Sequence, residues 1–144
     1  MTDIQAALGI HQLARVAEGA KRREEIWARY DEALADLPVV RPARVDEGTV
    51  HARHLYTMLV KTEVTEKSRD QTLNELIRLN IGTGVHYTAL HLHPYYRETF
   101  GHKPGDFPNA EYIGERTLSL PLSTKLSDDD VAAVVEALTH VLSG

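Results

Sequence analysis

The first 36 residues of the sequence carry a single helical pattern, which limits what the chain can fold into. Thr2 and Gln5 have the spacing of a capping box, in which a hydroxyl and an amide satisfy backbone groups at a helix start. Apolar residues then recur at a helical period until Pro38, which cannot continue a helix. The pattern predicts a helix over about residues 3–36, roughly 50 Å long at about 1.5 Å per residue.

A helix of this length exceeds the diameter of a small domain, so it needs a bend or a surface outside the domain. Gly9 and Gly19 are the candidate positions for a bend, because glycine weakens a helix interior. The alanine-rich stretch IQAALG favours close packing, and we expect this first half to dock on another domain or subunit. The alternative is that it folds back as an antiparallel pair.

Composition excludes several classes of protein. With 144 residues, of which 42% are apolar and 26% charged, we expect one soluble globular domain. The formal net charge is −5 and no basic stripe contains interleaved aromatics, which argues against nucleic acid as a partner. The absence of cysteine excludes disulfides and thiolate sites. Apolar runs are too short to span a membrane, and the N-terminus does not resemble a secretory signal, so we expect a cytoplasmic protein.

The sequence predicts an α/β domain of the α+β kind, with about three mostly antiparallel strands and helices on one face. We expect residues 1–37 to form a linking helix and residues 38–144 to form the small domain. The predicted strands are 54–61, 85–87 and 118–123, and residues 39–53 are predicted to be a loop or an edge. The predicted helices are 68–80, one that Gly101 ends, one that Pro108 opens, and 128–142.

The segment IGTGVHYTALHLHPYYRETFG, residues 81–101, holds the candidate site. His86 follows a glycine turn, where backbone approaches a ligand closely, and its ring can hydrogen-bond a hydroxyl or a phosphate. The alternative is that the ring only ties down the neighbouring loop. His91 and His93, with His86 as a third ligand, raise the possibility of a metal site, but we favour histidines hydrogen-bonded to the backbone. We assign no metal ligand.

Other polar groups do not form a catalytic set. The serines lack a nucleophile-elbow motif, and IGTG lacks the length and the lysine of a P-loop, so no catalytic residue is assigned. The acidic run 128–130 is explained by the dipole at a helix start. The basic residues of the first helix are interpreted as a solvated face; they are Arg15, Lys21, Arg22, Arg23 and Arg29.

Five ordered blocks cover nearly the whole chain: MTDIQAALGIHQL, RREEIWARYDEAL, RHLYTMLV, LNIGTGVHYTALHLHPYYRETFG and ERTLSLPLSTKLSDDDVAAVVEAL. In that order they resemble the C-terminal part of the PLP-dependent nucleotide-sugar aminotransferases of the DegT/StrS type. Within the family, IGTGVHY followed by YYRE is most similar to the enzymes that aminate a UDP-linked keto-pentose for lipid A modification. The resemblance implies a fold-type-I enzyme with a large PLP-binding domain, a small C-terminal domain and a dimer with active sites at the subunit interface.

The resemblance also implies roles for individual residues. His86 corresponds to the family's histidine at the mouth of the substrate pocket, and Tyr87 is a weaker candidate for the same wall, so both are expected to contact the nucleotide sugar. The family's Schiff-base lysine lies in the large domain. The lysines of this chain fall in none of that domain's motifs; they are Lys21, Lys61, Lys67, Lys103 and Lys125.

From this resemblance we expect the chain to be the C-terminal domain of an aminotransferase. In such an enzyme glutamate donates an amino group, through PLP, to a nucleotide-linked keto-sugar. The large domain is absent from these residues, so the chain is expected to be a truncated product or a fragment that is inactive alone. The alternative is a non-catalytic module that forms a homodimer or a scaffold through its N-terminal helix.

Overall fold

We describe the fold from a computed structural model, in which residues 1–143 are described. The helices are α1 (Asp3–Ala14), α2 (Val16–Ala33), α3 (Thr62–Thr65), α4 (Arg69–Arg78), α5 (Pro94–Phe100), α6 (Pro108–Arg116) and α7 (Asp128–Ser143). The strands are β1 (Val39–Val40), β2 (Tyr56–Val60) and β3 (Thr117–Leu120), and a 3₁₀ turn spans Leu90–Leu92. The strands form one antiparallel sheet in the order β1-β2-β3, which confirms the predicted fold class.

The N-terminal helical region is two helices in tandem rather than one. The predicted capping box is present, since Gln5 N donates to Thr2 Oγ1 at 3.3 Å and Thr2 N donates to Gln5 Oε1 at 2.9 Å. The break lies at Arg15, whose φ of −104° and ψ of 1° leave the helical region, and neither Gly9 nor Gly19 interrupts its helix. The predicted bend positions were wrong because glycine permits a break without requiring one.

The core fills one face of the sheet. Side chains alternate between the two faces of a strand, and the register places Met58 opposite Leu118 and Tyr56 opposite Leu120 on the same face. Helices α2, α4 and α7 cover this face. Their buried apolar side chains include Ile26, Tyr30, Leu76, Val131, Leu138 and Val141. The opposite face presents Thr117 and Ser119, and this second face positions the candidate site.

The predicted strand 85–87 is not formed. Within residues 81–89, Gly84 alone pairs with β3: Gly84 N donates to Ser119 O at 3.1 Å and Ser119 N donates to Gly84 O at 2.8 Å. Beyond this single bridge the chain turns away from the sheet. Strand β3 ends at Leu120, one residue before Pro121, because proline has no N–H to donate to a ladder. The segment predicted as a loop or an edge contributes the edge strand β1.

Three basic residues of α2 are not simply solvated, which corrects the sequence interpretation. Arg23 Nε donates to a backbone carbonyl of the loop before β2 at 3.1 Å. Arg22 Nη2 donates to Leu126 O at 2.6 Å and to Asp128 Oδ1 at 2.9 Å, while Arg29 Nη2 donates to Asp128 Oδ2 at 2.6 Å. The hydrogen bonds from Arg29 and Arg22 lower the pKa of the Asp128 carboxyl. Asp128 therefore links the start of α7 to α2, in addition to its favourable position at the helix dipole.

No helix within residues 1–143 is both long and apolar enough to cross a bilayer.

Candidate functional site

His86 is fixed on the second face of the sheet. Its Nδ1 lies 2.7 Å from Ser119 Oγ, and its backbone carbonyl accepts a hydrogen bond from Thr117 Oγ1 at 3.2 Å. Both partners belong to β3, two residues apart and on the same face of the strand. The Gly84 bridge brings the chain to this face just before His86. The strand therefore sets both the backbone and the ring of His86.

Gly84 makes room for the ring of His86. A Cβ at position 84 would lie 2.7 Å from His86 Cε1, closer than carbon atoms approach each other, and 3.2 Å from His86 Nδ1. The sequence analysis interpreted the glycine turn as space for a ligand. The structure shows that at Gly84 the space is used by a side chain of the same segment.

His86 has one nitrogen left for a ligand. Nδ1 is engaged by Ser119, whereas Nε2 has no hydrogen-bond partner in the part of the chain that the structure describes and is not among its buried unpaired atoms. Tyr87 is 72% exposed, and its ring lies edge-on to the His86 ring with the centroids 4.9 Å apart. The structure thus places the two predicted substrate-facing residues side by side on one surface.

A third group of the same segment lacks a partner. Thr83 Oγ1 is buried and makes no hydrogen bond to any residue between 1 and 143. Buried hydroxyls are nearly always paired, either with protein groups or with ordered water. The sequence analysis did not select Thr83, because a threonine between two glycines carries no pattern that indicates burial.

The other histidines of the segment have separate environments. His91 is buried, and its Nε2 lies 2.8 Å from Glu111 Oε1. We predicted a hydrogen bond to the backbone, and the structure shows a carboxylate partner instead. His93 is exposed and precedes α5. Among the described residues, no three His, Asp or Glu side chains form a group that could hold a metal ion. The pairing of Glu111 with His91 was not predicted from the sequence. The two residues are 20 positions apart, and no local sequence pattern links residues at that separation.

Within residues 1–143 the lysine side chains are exposed, half-exposed or engaged by other groups. Lys67 Nζ is held by Glu75 Oε2 at 3.1 Å and by Val141 O at 2.6 Å. An aldehyde cofactor needs an amine that is enclosed and free to react. Three other lysines are exposed and one is half-exposed; they are Lys21, Lys103, Lys125 and Lys61. No lysine in the described part of the chain is therefore assigned as a covalent anchor for PLP.

Comparison with known proteins decides the family. The model of the DegT/DnrJ/EryC1/StrS aminotransferase family matches residues 1–139. The chain belongs to this family. The segment that carries His86 and Tyr87 lies inside the match, and so do all three strands and helices α1 to α6.

Two curated relatives are each 47% identical to the chain. They are the protein MJ1066 of Methanocaldococcus jannaschii and the spore coat polysaccharide biosynthesis protein SpsC of Bacillus subtilis, matched over 99% and 100% of this chain. The chain spans only 37% of the length of each. The PLP form of the putative sugar aminotransferase Spr1654 from Streptococcus pneumoniae superposes with a TM-score of 0.90 at 35% identity, covering 99% of this chain and 36% of Spr1654. The DegT/StrS fold is therefore present over the whole described domain.

Proposed function

We propose that the chain is the C-terminal part of a PLP-dependent aminotransferase that transfers an amino group from glutamate to a nucleotide-linked keto-sugar. The observation that carries this proposal is the match of residues 1–139 to the sugar aminotransferase family. The printed descriptions of two similar proteins support it. SpsC is described as a polysaccharide biosynthesis protein, and Spr1654 as a putative sugar aminotransferase with PLP and PMP forms.

In this proposal the cofactor is bound by the rest of the intact protein. PLP, when bound there, supplies the aldehyde that carries the amino group between donor and acceptor. This chain's lysines are exposed or engaged elsewhere, so they are not assigned to that chemistry. The domain division also remains a proposal, with residues 1–37 as a linking segment that contains α1 and α2, and residues 38–144 as the small domain.

His86 and Tyr87 are proposed to form a wall of the substrate pocket. The free Nε2 of His86 is suited to a hydrogen bond with a sugar hydroxyl or a phosphate oxygen, and Ser119 holds the ring while it does so. The exposed ring of Tyr87 offers an apolar surface beside it, with a hydroxyl at its tip. Because the chain is acidic overall, local groups of this kind are required to hold an anionic substrate.

Helix α1 is proposed to dock on the rest of the intact protein and on a second subunit. Among residues 1–143 nothing covers its apolar side chains: Ile4 is 76% exposed, Leu8 61% and Leu13 74%. Contiguous apolar surface of this kind marks an interface. The same exposure favours the alternative of a non-catalytic module that dimerises through α1, and a concentration-independent monomer in sedimentation would contradict that alternative.

The proposal predicts that the 144-residue chain binds a nucleotide sugar at His86. We expect UDP-glucose, titrated into isotope-labelled protein, to shift the NMR signals of the His86 and Tyr87 rings in a saturable way. We expect His86→Ala to raise the dissociation constant about tenfold or more, because a hydrogen bond to a charged group contributes about 1.5–3 kcal/mol. His93→Ala is the matched control, since it removes an exposed histidine of the same segment, and we expect it to leave the dissociation constant unchanged.

Titration with UDP alone separates recognition of the sugar from recognition of the nucleotide. Shifts confined to residues outside the 83–87 segment would contradict the proposed pocket wall, as would an equal dissociation constant for wild type and His86→Ala.

A further inference from the structure

Helix α6 contacts the segment after His86 at two points, one helical turn apart. Glu111 bonds His91, and Gly114 lies directly against the backbone of residues 87–89. Residues three apart on a helix share one face, so a single face of α6 makes both contacts. A Cβ at Gly114 would lie 2.8 Å from Ala89 N and 3.2 Å from Tyr87 O, which shows how closely the helix approaches the segment.

The Glu111 carboxylate joins two pieces of chain. Its Oε1 accepts a hydrogen bond from Gly105 N at 2.8 Å and lies 2.8 Å from His91 Nε2. These bonds lower the pKa of the Glu111 carboxyl, the Gly105 N–H contributing more than His91. The carboxylate is therefore charged near neutral pH, and a charged acceptor makes the stronger kind of hydrogen bond.

Among residues 1–143, the hydrogen-bond partner of the His91 ring is Glu111. Its ring is 6% exposed and packs against Phe107, with the ring centroids 4.9 Å apart, and the nearest other imidazole is His102 at 6.3 Å. His102 Nδ1 in turn lies 3.5 Å from Asp106 Oδ2. Removing the Glu111 carboxylate would leave a buried imidazole nitrogen unpaired, which favours movement of the segment that carries it.

We propose that Glu111 and His91 are positioning residues that hold the His86–Tyr87 segment in register for its ligand. This inference rests on the proposed function, because it takes the His86–Tyr87 surface as the one that meets the substrate. Only four residues separate His86 from His91, and the last two of them begin the 3₁₀ turn or directly precede it. A shift of His91 away from α6 therefore reaches Tyr87 and His86 directly.

The test compares four variants of the 144-residue chain by NMR. The reporter is the nuclear Overhauser contact between His86 Hε1 and the Gly84 methylene, atoms that the geometry places together. We expect Glu111→Ala to lose this contact and Glu111→Gln to keep it, because glutamine retains an oxygen that accepts from Gly105 and His91. Glu115→Ala is the control, since it removes an exposed carboxylate of the same helix. His91→Leu tests the same contact from the other side, because it keeps the packing against Phe107 while it removes the ring nitrogen that bonds Glu111.

Contacts between Met58 and Leu118 across the sheet report whether each variant is folded. Loss of the His86 contact with the sheet contacts intact, in both Glu111→Ala and His91→Leu or in whichever of the two folds, supports the proposal. Retention of the His86 contact in either folded variant overturns it.

The UDP-glucose titration is a separate readout. If wild type does not bind while the His86 contact depends on Glu111, the positioning role stands and the proposed function fails. If wild type binds and Glu111→Ala binds equally well, the positioning role is overturned and the proposed function stands.

Discussion

Gly114→Val is expected to destabilise the domain by about 3 kcal/mol, the upper part of the usual range for overpacking. Gly114 is buried in α6, and its added side chain would meet the backbone nitrogen of Ala89 at 2.8 Å. A flexible side chain could move aside, but here the neighbour is backbone, so α6 and the 87–89 segment must separate. For a domain of this size the midpoint of thermal unfolding should fall by roughly 10 °C.

The same substitution is expected to disturb the candidate site. Tyr87 O lies 3.2 Å from the added Cβ, so separation of α6 from the segment should shift the ring signals of Tyr87 and His86. The matched control is Gly9→Val in α1, where nothing lies within 4 Å of the added Cβ. Equal thermal midpoints for the two variants would show that α6 does not pack on this segment as described.

Leu118→Ala is expected to cost about 2–5 kcal/mol, because it deletes a fully buried side chain and leaves a cavity. Leu118 is 0% exposed and lies in the central core, opposite Met58 on the helix-covered face of the sheet. A domain is stable by only about 5–15 kcal/mol, so this single change removes a large part of the total. Urea unfolding followed by circular dichroism measures the loss.

Leu13→Ala is the matched control, and it also probes the proposed interface. Leu13 is 74% exposed, so the free energy of unfolding should change by no more than about 0.5 kcal/mol. Its effect should appear instead in sedimentation, as weaker self-association if α1 binds a second copy. A cost equal to that of Leu118→Ala would mean that α1 folds back onto its own domain.

Local chemistry made much of the secondary structure predictable. The capping boxes at Thr2 and Ser68 begin helices, and the left-handed Gly101, with φ of 72°, ends α5. Pro108 opens α6 as expected. Each of these signals acts within four residues, so the sequence is enough to identify them.

Contacts between distant parts of the chain were not predictable in the same way. The glycine turn was enough to select His86 as a candidate site residue. Its hydrogen-bond partner Ser119 lies in a strand 33 positions away and was not predictable from the local sequence. The Arg22–Asp128 pair joins residues 106 positions apart, and neither residue has a local pattern that selects the other. The prediction of a strand at 85–87 was wrong, because alternation over three residues is too short to compete with the packing of α6 against the segment.

The central claim is that these residues shape a substrate pocket while the amine that holds PLP lies elsewhere in the intact protein. Its most direct test is mass spectrometry of the purified chain after incubation with equimolar PLP and reduction with borohydride. We expect any pyridoxyl label to be partial and spread over several lysines, because Lys67 is engaged by Glu75 and Val141 and the other four are at least partly exposed, so that no single amine is favoured. One fully modified lysine, together with amino transfer from glutamate to a keto-sugar by this chain alone, would contradict the account.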